Sequence, residues 1–406
     1  MGHFPRNLQQ KLDKRGASNA LRQLGVQNQL VDFASNDYLG FARSKSIFEK
    51  THAYLRDHGI YHNGSSGSRL LSGNHVLYPI LETMLCEFHH AESALVFNSG
   101  YDANLGFFSC VPQRGDIILY DEYIHASIRD GISMSHAKSF KFKHNDLEDL
   151  DRHLERGQKL IKNNTLYVVT ESVFSMDGDS PDLENLVELC DAHKAYLIID
   201  EAHAIGVFGE KGEGMVQDLG LERAIFARLV TFGKALGGHG AALLGAEGLK
   251  QYLVNFSRSF IYTTALPPHS LATVQLAYHE LVNPTRHNDD NNDRRTHPAG
   301  LKLQENIQFF KSEVKRLGLQ TFSWEDRPKT PWGFIDSNSA IHCYLVPGSN
   351  NTKIIAKALQ EKGYDVRPIL SPTVPEGQER LRFCLHTFNS KEEITEVLKL
   401  LATFVF

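Results

Sequence analysis

Residues 198–209 read IIDEAHAIGVFG. An apolar, β-branched run ends on a carboxylate, then turns through His203 into glycines. A short run of this kind, without polar alternation, is how a strand covered on both faces reads. Similar runs recur along the chain: ALVF (94–97), DIILY (116–120), TLYVVTE (165–171), RLVTFG (228–233) and AALLG (241–245). The segments between them, such as LENLVELCDAHK (183–194), have helical spacing. Alternating strand and helix predicts an α/β layer fold around a largely parallel sheet.

The spelling Asp-Glu-Ala-His also occurs in nucleic-acid helicases, where the carboxylates hold Mg²⁺ beside ATP. A P-loop ATPase needs G-x-x-x-x-G-K-[ST] to cradle the phosphates. Gly233-Lys234 is followed by Ala235 and lies downstream of the tetrapeptide, so this reading fails. The formal net charge of −5 also argues against a nucleic-acid partner.

The chain has 406 residues, 41% hydrophobic and 22% charged, enough for a large core and more than one domain. The five cysteines are scattered and form no C-x-x-C pair, so neither a metal site nor a disulfide framework is expected. Reduced thiols, no signal-peptide pattern at the N-terminus and no run of about 20 apolar residues fit a cytoplasmic protein without a membrane partner. The run RHNDDNNDRR (286–295) has no apolar residue and marks a domain boundary. The expected organisation is an N-terminal arm over 1–45, a large domain over 46–285 and a smaller α+β domain over 286–406. In the last, strands around 340–346 and 380–386 flank a helix at 352–362.

Ligand sites in open α/β sheets lie at the carboxyl ends of the strands. Asp200 closes one strand and His203 follows it. Lys234 follows another, Ser99-Gly100-Tyr101 follows ALVF, His125 follows DIILY, and Ser175 follows TLYVVTE. A lone lysine after a strand is usually at the surface, and a single Asp there is commonly a helix cap. Their conjunction on one sheet edge carries the weight. It suits pyridoxal 5′-phosphate: Lys234 to join the aldehyde, Asp200 to keep the ring nitrogen protonated, and Gly100 and Tyr101 N–H groups for the phosphate. Tyr101 or His125 would stack on the ring.

These residues sit in DFASNDYLGF (32–41), GSSGSRLLSGNH (64–75), VFNSGYDAN (96–104), DEYIHASIRDG (121–131), ESVFSMDGD (171–179), IIDEAHAIGVFGEKGEG (198–214), TFGKALGGHGAALLG (231–245), YTTALPP (262–268) and PTVPEGQERLR (372–382). In that order the blocks resemble the α-oxoamine synthases, PLP enzymes of fold type I (aspartate aminotransferase-like). The resemblance implies a large domain with a mostly parallel seven-stranded sheet and a smaller α+β C-terminal domain. It also implies a homodimer with shared active sites. The implied activity is an acyl transfer that condenses an amino acid with an acyl-CoA or acyl-carrier-protein thioester and releases CO₂. L-alanine with a pimeloyl donor is favoured over glycine with acetyl-CoA or serine with a long acyl chain. A catalytically idle binding subunit is the alternative of another class.

By resemblance, Lys234 is the Schiff-base lysine, Asp200 the partner of the ring nitrogen, and His203 the hydrogen-bond partner of the ring's phenolic oxygen. His125 is the stacking histidine. Ser175 and Thr231 contact the cofactor, and Thr263 or Thr264 reaches the phosphate of the neighbouring subunit. Arg22, Asn36 and Thr373 fall at substrate-side positions. One departure stands out. Many relatives that use pimeloyl donors carry an arginine just before the Pro-Thr-Val-Pro stretch, where this chain has Leu370 in VRPILSPTVP. Arg367 or Arg382 must then hold the amino acid's carboxylate, and Arg382 is preferred.

Overall fold

The apolar runs pair into a single sheet. Its strands are β1 (Ser93–Phe97), β2 (Ile117–Asp121), β3 (Lys138–Phe142), β4 (Leu166–Glu171), β5 (Tyr196–Asp200), β6 (Ala227–Thr231) and β7 (Ala241–Gly245). The spatial order is β1-β7-β6-β5-β4-β2-β3. All run the same way except β7, which is antiparallel to both neighbours. This is a computed structural model, and it describes residues 4–17, 21–22, 24, 29–161, 164–282, 298–324 and 332–405.

Six strands coincide with the apolar runs. The seventh, β3, reads KSFKF and is exposed at four of its five positions. It lies at the sheet edge, where lysines discourage pairing with another chain. Elsewhere, alternate residues feed opposite faces. Leu95 and Phe97 pack with Phe107 and Phe108 on one side, while Ala94 and Val96 pack with Leu81 and Leu85 on the other. The sheet is thus sandwiched between helices.

A second, five-stranded sheet follows: β8 (Thr321–Phe322), β9 (Gly333–Ile335), β10 (Ile341–Leu345), β11 (Arg367–Ile369) and β12 (Arg380–Cys384). Its order is β11-β12-β10-β9-β8, antiparallel apart from β8 and β9. Helices Pro298–Arg316, Ser349–Glu361 and Lys391–Val405 accompany it. The expected boundary at 286 lies outside the described residues. The arm begins with helix Arg6–Ala17, which buries none of its residues. Val31–Asp32 then pairs in parallel with Tyr364–Asp365, and the Phe33 carbonyl accepts from the Cys384 N–H at 2.8 Å. The end of the arm is therefore stitched to the C-terminal sheet, which carries residues 36–38 towards the carboxyl ends of the large sheet. No helix among the described residues is long and apolar enough to cross a membrane.

Candidate active site

A cavity of about 250 Å³ opens at the carboxyl ends of β1, β2, β4, β5 and β6. Asn36, Ser99, Gly100, Tyr101, His125, Asp200, His203, Thr231 and Lys234 all line it. At its floor, Asp200 is 5% exposed. Its Oδ1 accepts from the Ala202 N–H at 2.9 Å and its Oδ2 from Asn104 Nδ2 at 2.9 Å. A carboxylate offers about four lone-pair positions, so Asp200 keeps capacity to accept a further N–H from a ligand.

Helix α1 (Gly100–Cys110) starts directly after β1. Ser99 caps it by accepting from the Asp102 N–H at 3.0 Å. The Gly100 and Tyr101 N–H groups come before that bond and point out of the helix end, the ready-made place for an anion. Gly100 is required here: a Cβ would lie 2.7 Å from the Thr231 methyl. That contact seats the start of α1 against the end of β6.

His125 caps helix α2 (Ala126–Met134), its Nδ1 accepting from the Ser127 N–H at 3.2 Å. The same nitrogen lies 2.8 Å from the Ser127 hydroxyl, which accepts from Asn104 Nδ2 at 3.0 Å. Asn104 thereby ties His125 to Asp200. Burial lowers the His125 pKa and the Lys234 charge adds to this, against the pull of Asp200. His203 is held far below its ordinary value by burial, and the Lys234 and Arg382 charges act in the same sense. Its Nδ1 lies 2.7 Å from the Tyr38 hydroxyl.

Lys234 sits in the turn between β6 and β7, closed by Gly237 N–H donating to the Lys234 carbonyl at 2.9 Å. Burial lowers its amine to about 8, opposed by Asp200 and Glu171 and assisted by Arg382. Glu171 ends β4 opposite Asp200 in register. It is buried, its Oε1 lacks a hydrogen-bond partner, and burial together with the Asp200 charge raises its pKa well above the usual range. Its neutral form is therefore favoured relative to an ordinary carboxylate.

The two arginine candidates separate clearly. Arg382 is buried and spans from the Ser175 carbonyl (Nε, 2.8 Å) to Oδ1 of the cavity-lining Asn36 (Nη2, 2.9 Å). Arg367 is half exposed and pairs with Asp365 at 2.7 Å; neither arginine is itself part of the cavity lining, and what separates them is that Arg382 is buried and bonded to Asn36, which is. Ser175 thus meets Arg382 through its backbone. Thr231 lies at the cavity with its hydroxyl 3.4 Å from the Ala202 carbonyl. Thr263, Thr264 and Thr373 lie outside this cavity, and Arg22 is exposed. The Thr264 carbonyl accepts from Asn98 Nδ2 at 2.5 Å, just before the start of α1.

Asn104, Ser127, Glu171 and Tyr38 were not singled out by the sequence. For Glu171 a signal existed: like Asp200, it is a carboxylate closing an apolar strand. Cavity size alone would also have misled. A cleft of about 990 Å³ lined by Asp146, Asp182, Trp324 and Asp336 contains none of the expected site residues. Beside it, His144, Asp177 and Asp179 lie close enough to hold a cation. Both ring nitrogens of His144 are taken, by Asp121 at 2.9 Å and Asp179 at 2.8 Å, and Asp177 is ion-paired to Arg380.

The profile of the family described as aminotransferase class I and II matches residues 28–401. An 8-amino-7-oxononanoate synthase of Emericella nidulans is 38% identical, covering 100% of this chain and 98% of its own. A serine palmitoyltransferase variant from S. paucimobilis, solved with PLP-myriocin bound, is similar with a TM-score of 0.81 at 26% identity. That match covers 98% of this chain and 96% of the other. An 8-amino-7-oxononanoate synthase from Francisella tularensis matches with a TM-score of 0.71 at 28% identity, over 93% of this chain and 98% of its own.

Proposed function

The chain belongs to the aminotransferase class I and II family and, within it, to the pyridoxal-phosphate-dependent α-oxoamine synthases. From this premise we propose that it joins L-alanine to a pimeloyl thioester. The thiol carrier is CoA or a carrier protein, CO₂ is released, and the product is 8-amino-7-oxononanoate, a biotin precursor. The observation that carries the reading is the convergence of Lys234, Asp200, His203 and His125 on one cavity. It occurs in a chain similar from end to end to a relative of that name.

The donor set suits the cofactor. Among the described residues no hydrogen bond or ion pair engages the Lys234 amine, which leaves it available to the cofactor's aldehyde. Asp200 has lone pairs left for a ring N–H, the α1 N-terminus faces outward for a phosphate, and Thr231 stands beside it. When bound, pyridoxal phosphate supplies an electron sink for charge developing on the amino acid's α-carbon. The chain's own groups do the rest. Asp200 holds a proton on the ring nitrogen. Lys234, with an amine near 8, moves the α-proton as a general base. His125 stacks on the ring and orients the reacting groups. Arg382, with Asn36 beside it, takes the amino acid's carboxylate, and Arg22 and Thr373 serve the acyl side. Ser175 and Thr263 or Thr264 complete the cofactor contacts, the last from a second copy in a homodimer with shared sites. All five cysteines are free thiols, which suits a reducing cytoplasm.

The serine palmitoyltransferase neighbour has the higher TM-score, 0.81 against 0.71, and favours a second reading with serine and a long acyl chain. Both are tested by CoA release with L-alanine, glycine and L-serine against acyl-CoAs of several lengths. The first reading expects L-alanine with pimeloyl-CoA to turn over fastest. Preference for serine with a long chain would replace it and leave the cofactor assignment standing.

A further inference from the structure

Tyr38 is fully buried, and a buried phenol must place its hydroxyl in a hydrogen bond. It sits in a tight turn whose Tyr38 N–H donates to the Asn36 carbonyl at 2.9 Å. The hydroxyl lies 2.7 Å from His203 Nδ1 and 3.2 Å from Asn36 Oδ1. It has a single proton to give. Asn36 Oδ1 already accepts from the Arg382 guanidinium at 2.9 Å, a charge-assisted bond. The shorter contact and the unsatisfied acceptor therefore coincide at His203 Nδ1.

If the phenol donates to Nδ1, a neutral imidazole carries its proton on Nε2. His203 lines the cavity, and among the described residues no hydrogen bond uses its Nε2. Burial and the nearby Lys234 and Arg382 charges keep the ring neutral. The opposite arrangement, with the phenol proton on Asn36, would leave Nε2 a bare acceptor unable to donate to an oxygen in the cavity.

We propose that Tyr38 is a positioning residue that fixes His203 as its Nε2–H tautomer, so that the cavity presents one hydrogen-bond donor to an oxygen on the cofactor ring. This rests on the cofactor reading given above. Arg382 then donates to Asn36 Oδ1 and Tyr38 to His203 Nδ1, and the 3.2 Å approach of the Tyr38 hydroxyl to Asn36 Oδ1 is a contact without a proton.

The test uses the holoenzyme labelled with ¹⁵N in its histidine rings, with the His203 signals assigned by their loss in His203→Gln. The proposal expects Nε2 protonated and Nδ1 unprotonated in the wild type, a state lost in Tyr38→Phe. It expects kcat to fall roughly 10-fold in Tyr38→Phe, the scale of one lost hydrogen bond. KM for the amino acid should move far less, because the Arg382–Asn36 bond remains. The Tyr38→Phe/His203→Gln double variant should be no slower than His203→Gln alone. A wild-type His203 protonated on Nδ1 overturns the proposal, and that measurement needs no substitution at position 38. Multiplicative losses in the double variant overturn it too. Failure of the cofactor reading looks different: the wild type would show no lysine-linked visible chromophore.

Discussion

Replacing Lys234 by methionine measures what a buried cation costs this fold. Burial brings the amine from 10.5 to about 8, with Asp200 and Glu171 recovering only part of the loss. In the unfolded chain the amine titrates near its ordinary value of about 10.4. Between these values the unfolded state binds more protons, so stability rises with pH across that window. Below the folded value the penalty is complete. At about 1.4 kcal/mol per pH unit, it approaches roughly 3 kcal/mol at pH 7. Unfolding entropy of about 2.1 cal/mol/K per residue, over the whole chain, converts this to about 4 °C in Tm. Calorimetry of cofactor-free protein should therefore find Lys234→Met melting about 4 °C above the wild type at pH 7. The advantage should shrink as pH rises from 8 towards 10.5. A variant that melts at or below the wild type at pH 7, or by a margin independent of pH, refutes the reasoning.

Three further outcomes follow from the same geometry. Burial raises the Glu171 pKa and favours its neutral form, which Glu171→Gln mimics, so kcat/KM should stay within about threefold; a loss of about 100-fold (near 2.7 kcal/mol) would mean that Glu171 works ionised. Arg382→Lys loses the planar fork and should raise KM for the amino acid by about tenfold or more, whereas Arg367→Ala, at a half-exposed residue ion-paired to Asp365, should change it less than about twofold; equal effects would remove Arg382 from its role. His144 is raised to about 10, burial opposing and the hydrogen bonds it donates to Asp121 and Asp179 prevailing. Its contribution is complete below the ordinary value of about 6.5 and is lost as pH rises through the folded one. Urea unfolding of His144→Gln should show a deficit of about 3–5 kcal/mol at pH 6 that fades towards pH 10, and a pH-independent deficit would contradict the ion-pair account.

Much of this fold was legible because buried parallel strands advertise themselves. YLIID and LYVVTE are largely apolar, without polar alternation, and stop on a carboxylate, which locates both the strand and its functional end. KSFKF gave no such signal: it is an edge strand exposed at four of five positions, and its lysines read as surface. The central residues were legible for a related reason. Lys234, Asp200, His203 and His125 lie within a few residues of strand ends, so sequence proximity stands in for spatial proximity. Asn104 sits inside a helix and Tyr38 inside the arm. Their partners, Asp200 and His203, are 96 and 165 residues away in sequence. Only the folded backbone brings such pairs together. The choice between Arg367 and Arg382 had the same character. Both lie in the C-terminal sheet, paired in register on adjacent strands, and burial against Asn36 and Ser175 tells them apart.

The central claim is that Lys234 carries the cofactor at the end of β6. Borohydride reduction of the purified holoenzyme, followed by peptide mass mapping, tests it directly. The account predicts a stable pyridoxyl-phosphate adduct on Lys234 and none in Lys234→Ala. An adduct on another lysine of the wild type, or cofactor still fixed covalently in the variant, would contradict it.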